Sequence, residues 1–268
     1  MSSANPYTHG HHESVLRSHQ WRTAENSAGY LLPYLGARDT LLDIGAGPGT
    51  ITMDFAARVG HVTATEIGEP ELALSRRTAE SRGVTNVSFA AEDVHALSFA
   101  DGSFDVTHAH QVLQHVADPV LALREMARVT RPGGIVAARD GDYGGFLWYP
   151  EIPELTDWLR LYSIAARANG GEPDAGRRLL SWARQAGFTD VTATASTWCH
   201  ATEEDRAYWG GTWAVRIVES AIARQLVDSG TATTEQLQRI SDAWRRWADA
   251  EDGWFLVPHG EILYRKPA

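Results

Sequence analysis

Leu41-Leu42-Asp43-Ile44-Gly45-Ala46-Gly47-Pro48-Gly49 is the stretch that decides the fold. An apolar run carries an acid at Asp43, and glycines follow at every second position. Thr50, Ile51, Phe55 and Ala56 then begin a helix. Glycines there let a ligand approach the backbone and permit the positive φ of a tight turn. Strand, glycine turn and helix together make the ligand crevice of an open α/β sheet. A dinucleotide site wants G-x-G-x-x-G, with pyrophosphate on the helix N-terminus. Here the third glycine comes one residue early, Thr50 takes the dinucleotide glycine's place, and no Walker Gly-Lys-Ser/Thr is present. Asp43 would repel a phosphate, so the pocket suits a phosphate-free ligand carrying positive charge.

The reading extends along the chain. His61 to Thr65 alternates as a second strand and ends in Glu66, which lies 17 positions after Gly49. A carboxylate that grips ribose hydroxyls is expected at about 20. A third strand (Val87, Phe89, Ala90) leads into Glu92-Asp93-Val94. A fourth, Phe104 to Ala109, ends in His110-Gln111, followed by Leu113-Gln114-His115-Val116 and Asp118-Pro119. A helix through Leu121, Met126 and Val129 comes next, and Arg131-Pro132-Gly133-Gly134 turns into a fifth strand.

By spacing, D-x-G-x-G-x-G resembles the first motif of the class I S-adenosylmethionine-dependent methyltransferases. The succession down to Arg-Pro-Gly-Gly is similar to the branch that methylates small molecules such as ubiquinone and menaquinone precursors. It covers residues 40–140 well, and 174–198 and 254–266 more loosely. The resemblance implies a Rossmann-like, seven-stranded, doubly wound α/β sheet whose last strand is antiparallel. It implies S-adenosyl-L-methionine as cofactor and S-adenosyl-L-homocysteine as product. Asp43, Gly45, Ala46, Gly47 and Gly49 would line the cofactor. Glu66 would meet the ribose, Ile67 would line the cofactor, Asp93 would meet the adenine amino group, the Val94 amide a ring nitrogen, and the His110 backbone the cofactor's edge.

Length and composition bound the rest. The chain has 268 residues, 43% of them hydrophobic, enough for one large α/β domain or two small ones. The first twenty residues are polar and His-rich without an apolar core, so no signal peptide is read there. No apolar run approaches a membrane span. The single cysteine, Cys199, excludes an internal disulfide, suits a reducing cytoplasm, and is expected to be a buried small hydrophobe. A formal charge of −10 argues against nucleic acid or anionic membrane as partner.

The expected organisation is one methyltransferase domain. Residues 1–37 form an N-terminal arm and helical lid, with a helix from about Trp21 to Leu35 whose Ala24, Ala28, Leu31 and Leu35 share a face. Residues 38–140 form the cofactor core. Residues 141–198 carry a Gly/Pro-rich loop (Gly141 to Pro153), helices over Leu155 to Ala168 and Asp174 to Ala186, and a strand over Val191 to Trp198. Residues 199–252 form a helical cap of two amphipathic helices, the first capped by Thr202 and the second opening on Thr233 and Gln236. Residues 253–268 supply the closing strand, Trp254 to Arg265. The cap's apolar faces either fold inward or pair with another subunit as a homodimer.

Candidate catalytic residues are Tyr7, His9, His110 and His115, since a phenol, enol or indole-like carbon acid needs help losing a proton. His9, His11 and His12 are read as a lid segment, against a floppy arm or a metal clip; no metal site is expected. Trp244 and Trp247 read as core. Trp148, Tyr149, Trp198, Trp209 and Trp213 are candidates for a flat apolar pocket that binds substrate, or for packing of the cap. The leading expectation is a methyltransferase of a small aromatic molecule, acting on carbon in cytoplasmic specialised (secondary) metabolism. O- or N-methylation, a cofactor-binding relative that transfers no methyl, and a nicotinamide-dependent oxidoreductase are the alternatives.

Overall fold

In the computed structural model, which describes residues 21–268, period-two alternation sorts the apolar residues of the central strands onto two faces. The strands are β1 (Thr40–Ile44), β2 (His61–Glu66), β3 (Val87–Ala91), β4 (Phe104–His110), β5 (Thr130–Gly141), β6 (Leu147–Tyr149), β7 (Val191–His200) and β8 (Trp254–Arg265). The eight-stranded sheet runs β3-β2-β1-β4-β5-β8-β6, with β7 paired to β8. The first five strands pair in parallel. β8 enters against them: Gly133 N–H donates to the Lys266 carbonyl and Lys266 N–H to that of Gly134. The helices are α1 (Ala24–Ala28), α2 (Thr50–Ala56), α3 (Glu69–Arg82), α4 (Pro119–Val129), α5 (Pro153–Ala168), α6 (Ala175–Gln185), α7 (Glu203–Glu219), α8 (Ala221–Asp228) and α9 (Thr234–Asp249).

The chain divides into two compact units. The larger holds, among the described residues, 21–140, 175–196 and 259–268. One face of its sheet buries Leu41, Val106, Ile135 and Ala137 with Ala24, Ala28 and Leu31 before β1 and Ile51 and Phe55 of α2. The other buries Leu42, Ile44, Val136 and Ala138 with Leu123 and Met126 of α4 and Leu179 and Ala183 of α6. Strand order reverses between β1 and β4, and a crevice opens beyond the carboxyl ends of strands at such a switch.

The smaller unit holds residues 141–174 and 197–258 among those described. Its core is aromatic. Trp158 of α5 meets Trp213 of α7 edge-on at 4.6 Å and Trp244 of α9 at 4.8 Å. Phe255 packs on Trp244 and Trp247, and the Trp247 indole donates to the Tyr149 carbonyl at 3.1 Å.

Four sequence expectations need correction. The helix expected over Trp21 to Leu35 is one short helix, α1, followed by a 3-10 turn at Leu32–Tyr34, where Pro33 interrupts the ladder. Ala24, Ala28 and Leu31 are nevertheless fully buried. The sheet has eight strands rather than seven, because the Gly/Pro-rich loop contains β6, paired antiparallel with Trp254–Leu256 of β8. The cap has three helices rather than two: Ser220 is extended (ψ 177°), ending α7 and starting α8. Cys199 is exposed, since it alternates on β7 with buried Trp198 and His200. Thr202 makes a full capping box with Asp205, whereas Thr233 caps α9 by accepting from Gln236 N–H.

Candidate functional site

All the polar residues at the carboxyl edge discussed first belong to the larger unit. Gly45, Gly47 and Gly49 adopt φ of 66°, 57° and 80°, the left-handed region that disfavours any side chain. At Gly49 space is also absent: a Cβ would sit 2.3 Å from Ser75 Oγ on α3. Ala46 N–H donates to the Thr65 carbonyl at 3.0 Å and Gly47 N–H to Glu66 Oε1 at 2.6 Å, so the turn is stitched to the end of β2.

Asp43 is buried, and both its oxygens are engaged inside the sheet. His108 Nδ1 lies 2.8 Å from Oδ1, and the Thr52 hydroxyl donates to Oδ2 at 2.6 Å. Its carboxylate therefore ties β1 to β4 and α2 behind the glycine turn. Glu66 stands at the end of β2. Burial pushes its carboxyl up to about 7, against the amides of Gly47 and Ile67. Ile67 beside it is 60% exposed, an apolar side chain in the open next to a carboxylate. Asp93 lies past β3; burial raises its carboxyl, but bonds from the His95 amide (2.9 Å) and ring (2.7 Å) outweigh that and hold it below the usual range. Val94 is buried in the core.

The carboxyl end of β4 gathers several polar side chains. His110 stacks on His259 with ring centres 6.1 Å apart, and burial drives its imidazole well below the ordinary histidine value. Burial likewise lowers His115, in the turn after β4, to about 4. Both are neutral at physiological pH. Between them Gln111 has φ 54°, left-handed without being glycine, a strain that marks functional turns. Its amide donates to the Arg139 carbonyl at 2.7 Å, and its side chain bridges Arg22 (2.9 Å) and His259 Nε2 (2.8 Å). Behind it, buried Arg139 pairs with Glu261 of β8, which also accepts from Thr194 at 2.7 Å.

Tyr7 and His9 lie outside the described residues. Trp148, Tyr149, Trp198, Trp209 and Trp213 all fall in the smaller unit. Trp213 is buried in its aromatic core, and Trp209 is buried and stacks on His200 at 4.5 Å. Trp198 is buried, Trp148 stacks on Phe255, and Tyr149 is 54% exposed. An open depression of about 250 Å³, lined by Tyr34, Gly36, Asp105 and Arg131, sits at the opposite, amino-terminal edge of β1 and β4 and holds none of these side chains.

Sequence reading missed His108, Tyr30, Arg139, Asp140, His259 and Glu261. The alternation His108-Ala109-His110 on β4, and Arg139-Asp140 at the end of an apolar run, were the available signals.

The donor set fits a nucleoside without phosphate: two carboxylates beyond β2 and β3, an exposed apolar side chain beside the first, and a glycine turn tied to it. A family described as a methyltransferase domain matches residues 42–138. An uncharacterized methyltransferase of Schizosaccharomyces pombe is 35% identical over 97% of this chain and 96% of its own length. A demethylmenaquinone methyltransferase of a Parafrankia species is 33% identical over 66% of this chain and 75% of its own. Among solved structures, the YcgJ protein of Bacillus subtilis superposes with a TM-score of 0.59 at 20% identity, covering 90% of this chain and 97% of that one.

Proposed function

Because this chain belongs to the class I S-adenosylmethionine-dependent methyltransferases, we propose that it methylates a small aromatic molecule of the indole, phenol or quinone-precursor type, on carbon, in specialised metabolism. The cofactor, S-adenosyl-L-methionine, supplies an activated methyl group when bound. In this reading the Glu66 carboxylate accepts from the ribose hydroxyls and Asp93 from the adenine amino group. The backbone from Gly45 to Gly49 and the Val94 amide complete the cradle, with Ile67 against the nucleoside. Asp43 acts through the turn, since its oxygens are spent on His108 and Thr52.

The observation that carries the cofactor assignment is the Gly47 amide on Glu66, which joins the glycine turn to the ribose carboxylate. The acceptor class rests on the likeness to a demethylmenaquinone methyltransferase. Among the described residues no helix is long and apolar enough to cross a membrane. We place the reaction in the cytoplasm and leave nucleic acid out of the acceptor list on the formal charge of −10. Light scattering tests whether two copies pair as a homodimer.

The experiment is incubation with methyl-labelled S-adenosylmethionine and a panel of indoles, phenols and naphthoquinols. Label in an aromatic carbon, with one S-adenosylhomocysteine released per product, supports the reading; label on oxygen or nitrogen keeps the enzyme and rejects C-methylation. No turnover with any aromatic acceptor rejects the substrate class.

A further inference from the structure

Asp140 is the penultimate residue of β5, inside its buried run, and is itself fully buried. The loop after β4 folds over it: Gln111 N–H reaches the Arg139 carbonyl, and Gln114 N–H donates to Asp140 Oδ1 at 3.1 Å. Its second oxygen, Oδ2, is sealed from water without a hydrogen-bond partner. Gln114 Oε1 and the Tyr30 hydroxyl are sealed in the same way. Folded proteins rarely leave such atoms unsatisfied, so at the carboxyl edge of the sheet the Asp140 oxygen is a candidate contact for a bound ligand.

We propose that Asp140 is a catalytic residue whose Oδ2 takes the proton of the methyl acceptor, and that the acceptor therefore presents a weakly acidic hydroxyl or C–H. This rests on the methyl-transfer reading above. The acceptor's X–H bond breaks and its proton passes to Asp140. The X–C bond to the methyl group forms as the S–CH3 bond breaks, leaving neutral S-adenosylhomocysteine. Charge balances, since a cationic sulfonium is lost and an anionic carboxylate is neutralised.

The surroundings suit a base rather than a permanent anion. Burial pushes the Asp140 carboxyl up to about 8, against the Gln114 and Leu113 amides and the Arg139 guanidinium. Among the described residues Tyr30 is also coupled to it, and Asp140 helps to hold that phenol protonated. A base near 8 is matched to removing a phenolic or enolic proton, whereas His115 at about 4 is a poor one.

The test is Asp140→Asn, which keeps the oxygen that accepts from Gln114 and removes the one that takes a proton. Loss of general-base catalysis lowers kcat about 10²- to 10⁴-fold. S-adenosylhomocysteine affinity should stay within about twofold. The wild-type rise in rate through about pH 8 should also disappear. A variant that keeps the wild-type rate and pH profile overturns the proposal, as does one that fails to fold, because the carboxylate is then structural. If the wild-type protein methylates no aromatic acceptor, the substrate reading has failed by itself. Asp140 is then judged by carbon-13 NMR of its carboxyl in the S-adenosylhomocysteine complex, with 4-nitrophenol as probe. A displaced titration midpoint sustains the assignment, and an unmoved one ends it.

Discussion

If Glu66 grips the ribose as proposed, cofactor affinity depends on pH, with a slope that the structure sets. Its carboxyl titrates at about 7 because burial penalises the charged form, and Gly47 N–H on Oε1 recovers only part of that penalty. A carboxylate that accepts from two ribose hydroxyls must be ionised. Binding therefore expels a proton wherever the free protein still holds one. With a midpoint of about 7, roughly one molecule in eleven is ionised at pH 6 and roughly ten in eleven at pH 8. S-adenosylhomocysteine should bind about tenfold more tightly at pH 8 than at pH 6, a difference of about 1.4 kcal/mol. The sign for the ligand-free fold is opposite. A carboxyl raised above its unfolded value costs stability as pH climbs from the carboxylate range through 7. Isothermal titration at pH 6, 7 and 8 on wild type and Glu66→Gln isolates the term, since the amide cannot ionise. The variant should bind weakly and without that slope. A wild-type affinity that is flat over this range, or a variant that keeps the slope, refutes the reasoning.

Other perturbations separate scaffold from site. Gly49→Ala puts a Cβ 2.3 Å from Ser75 Oγ and 3.1 Å from its Cα at φ 80°, so thermal unfolding should show a loss of about 2–4 kcal/mol together with weakened S-adenosylhomocysteine binding. Glu261→Ala removes the carboxylate paired with the Arg139 guanidinium, which is only 1% exposed and keeps its Ser196 bond, and should cost about 3 kcal/mol by chemical denaturation. Trp158→Ala empties the centre of the smaller unit's aromatic core and should cost about 3–5 kcal/mol; below the melting point, cofactor affinity should hold within about twofold because the residues proposed to hold the cofactor lie in the other unit.

Much of the fold was legible because it is local. The strand ending at Glu66 is read from period-two alternation and Trp254 to Arg265 as the closing strand of the resembled fold, and both stand as strands in the structure. What was misread depends on partners. Leu147–Tyr149 carries loop-like composition yet is a strand because β8 offers it a ladder. Cys199 is apolar enough for a core, but its place on β7 turns it outward. The site divides the same way. Glycine spacing locates the turn and the acids after β2 and β3 without tertiary knowledge. That Asp43 spends its carboxylate on His108, 65 residues away, or that Arg139 finds Glu261, 122 residues away, is invisible until parallel and antiparallel strands are set side by side.

The central claim is that the glycine turn, Glu66 and Asp93 together hold the sulfonium nucleoside. A crystal structure of the S-adenosylhomocysteine complex measures it most directly. The account predicts ribose hydroxyls within hydrogen-bond distance of Glu66, the adenine amino group on Asp93, and the homocysteine moiety along Gly45 to Gly49. A nucleoside bound elsewhere, or one that leaves both carboxylates without contact, contradicts it.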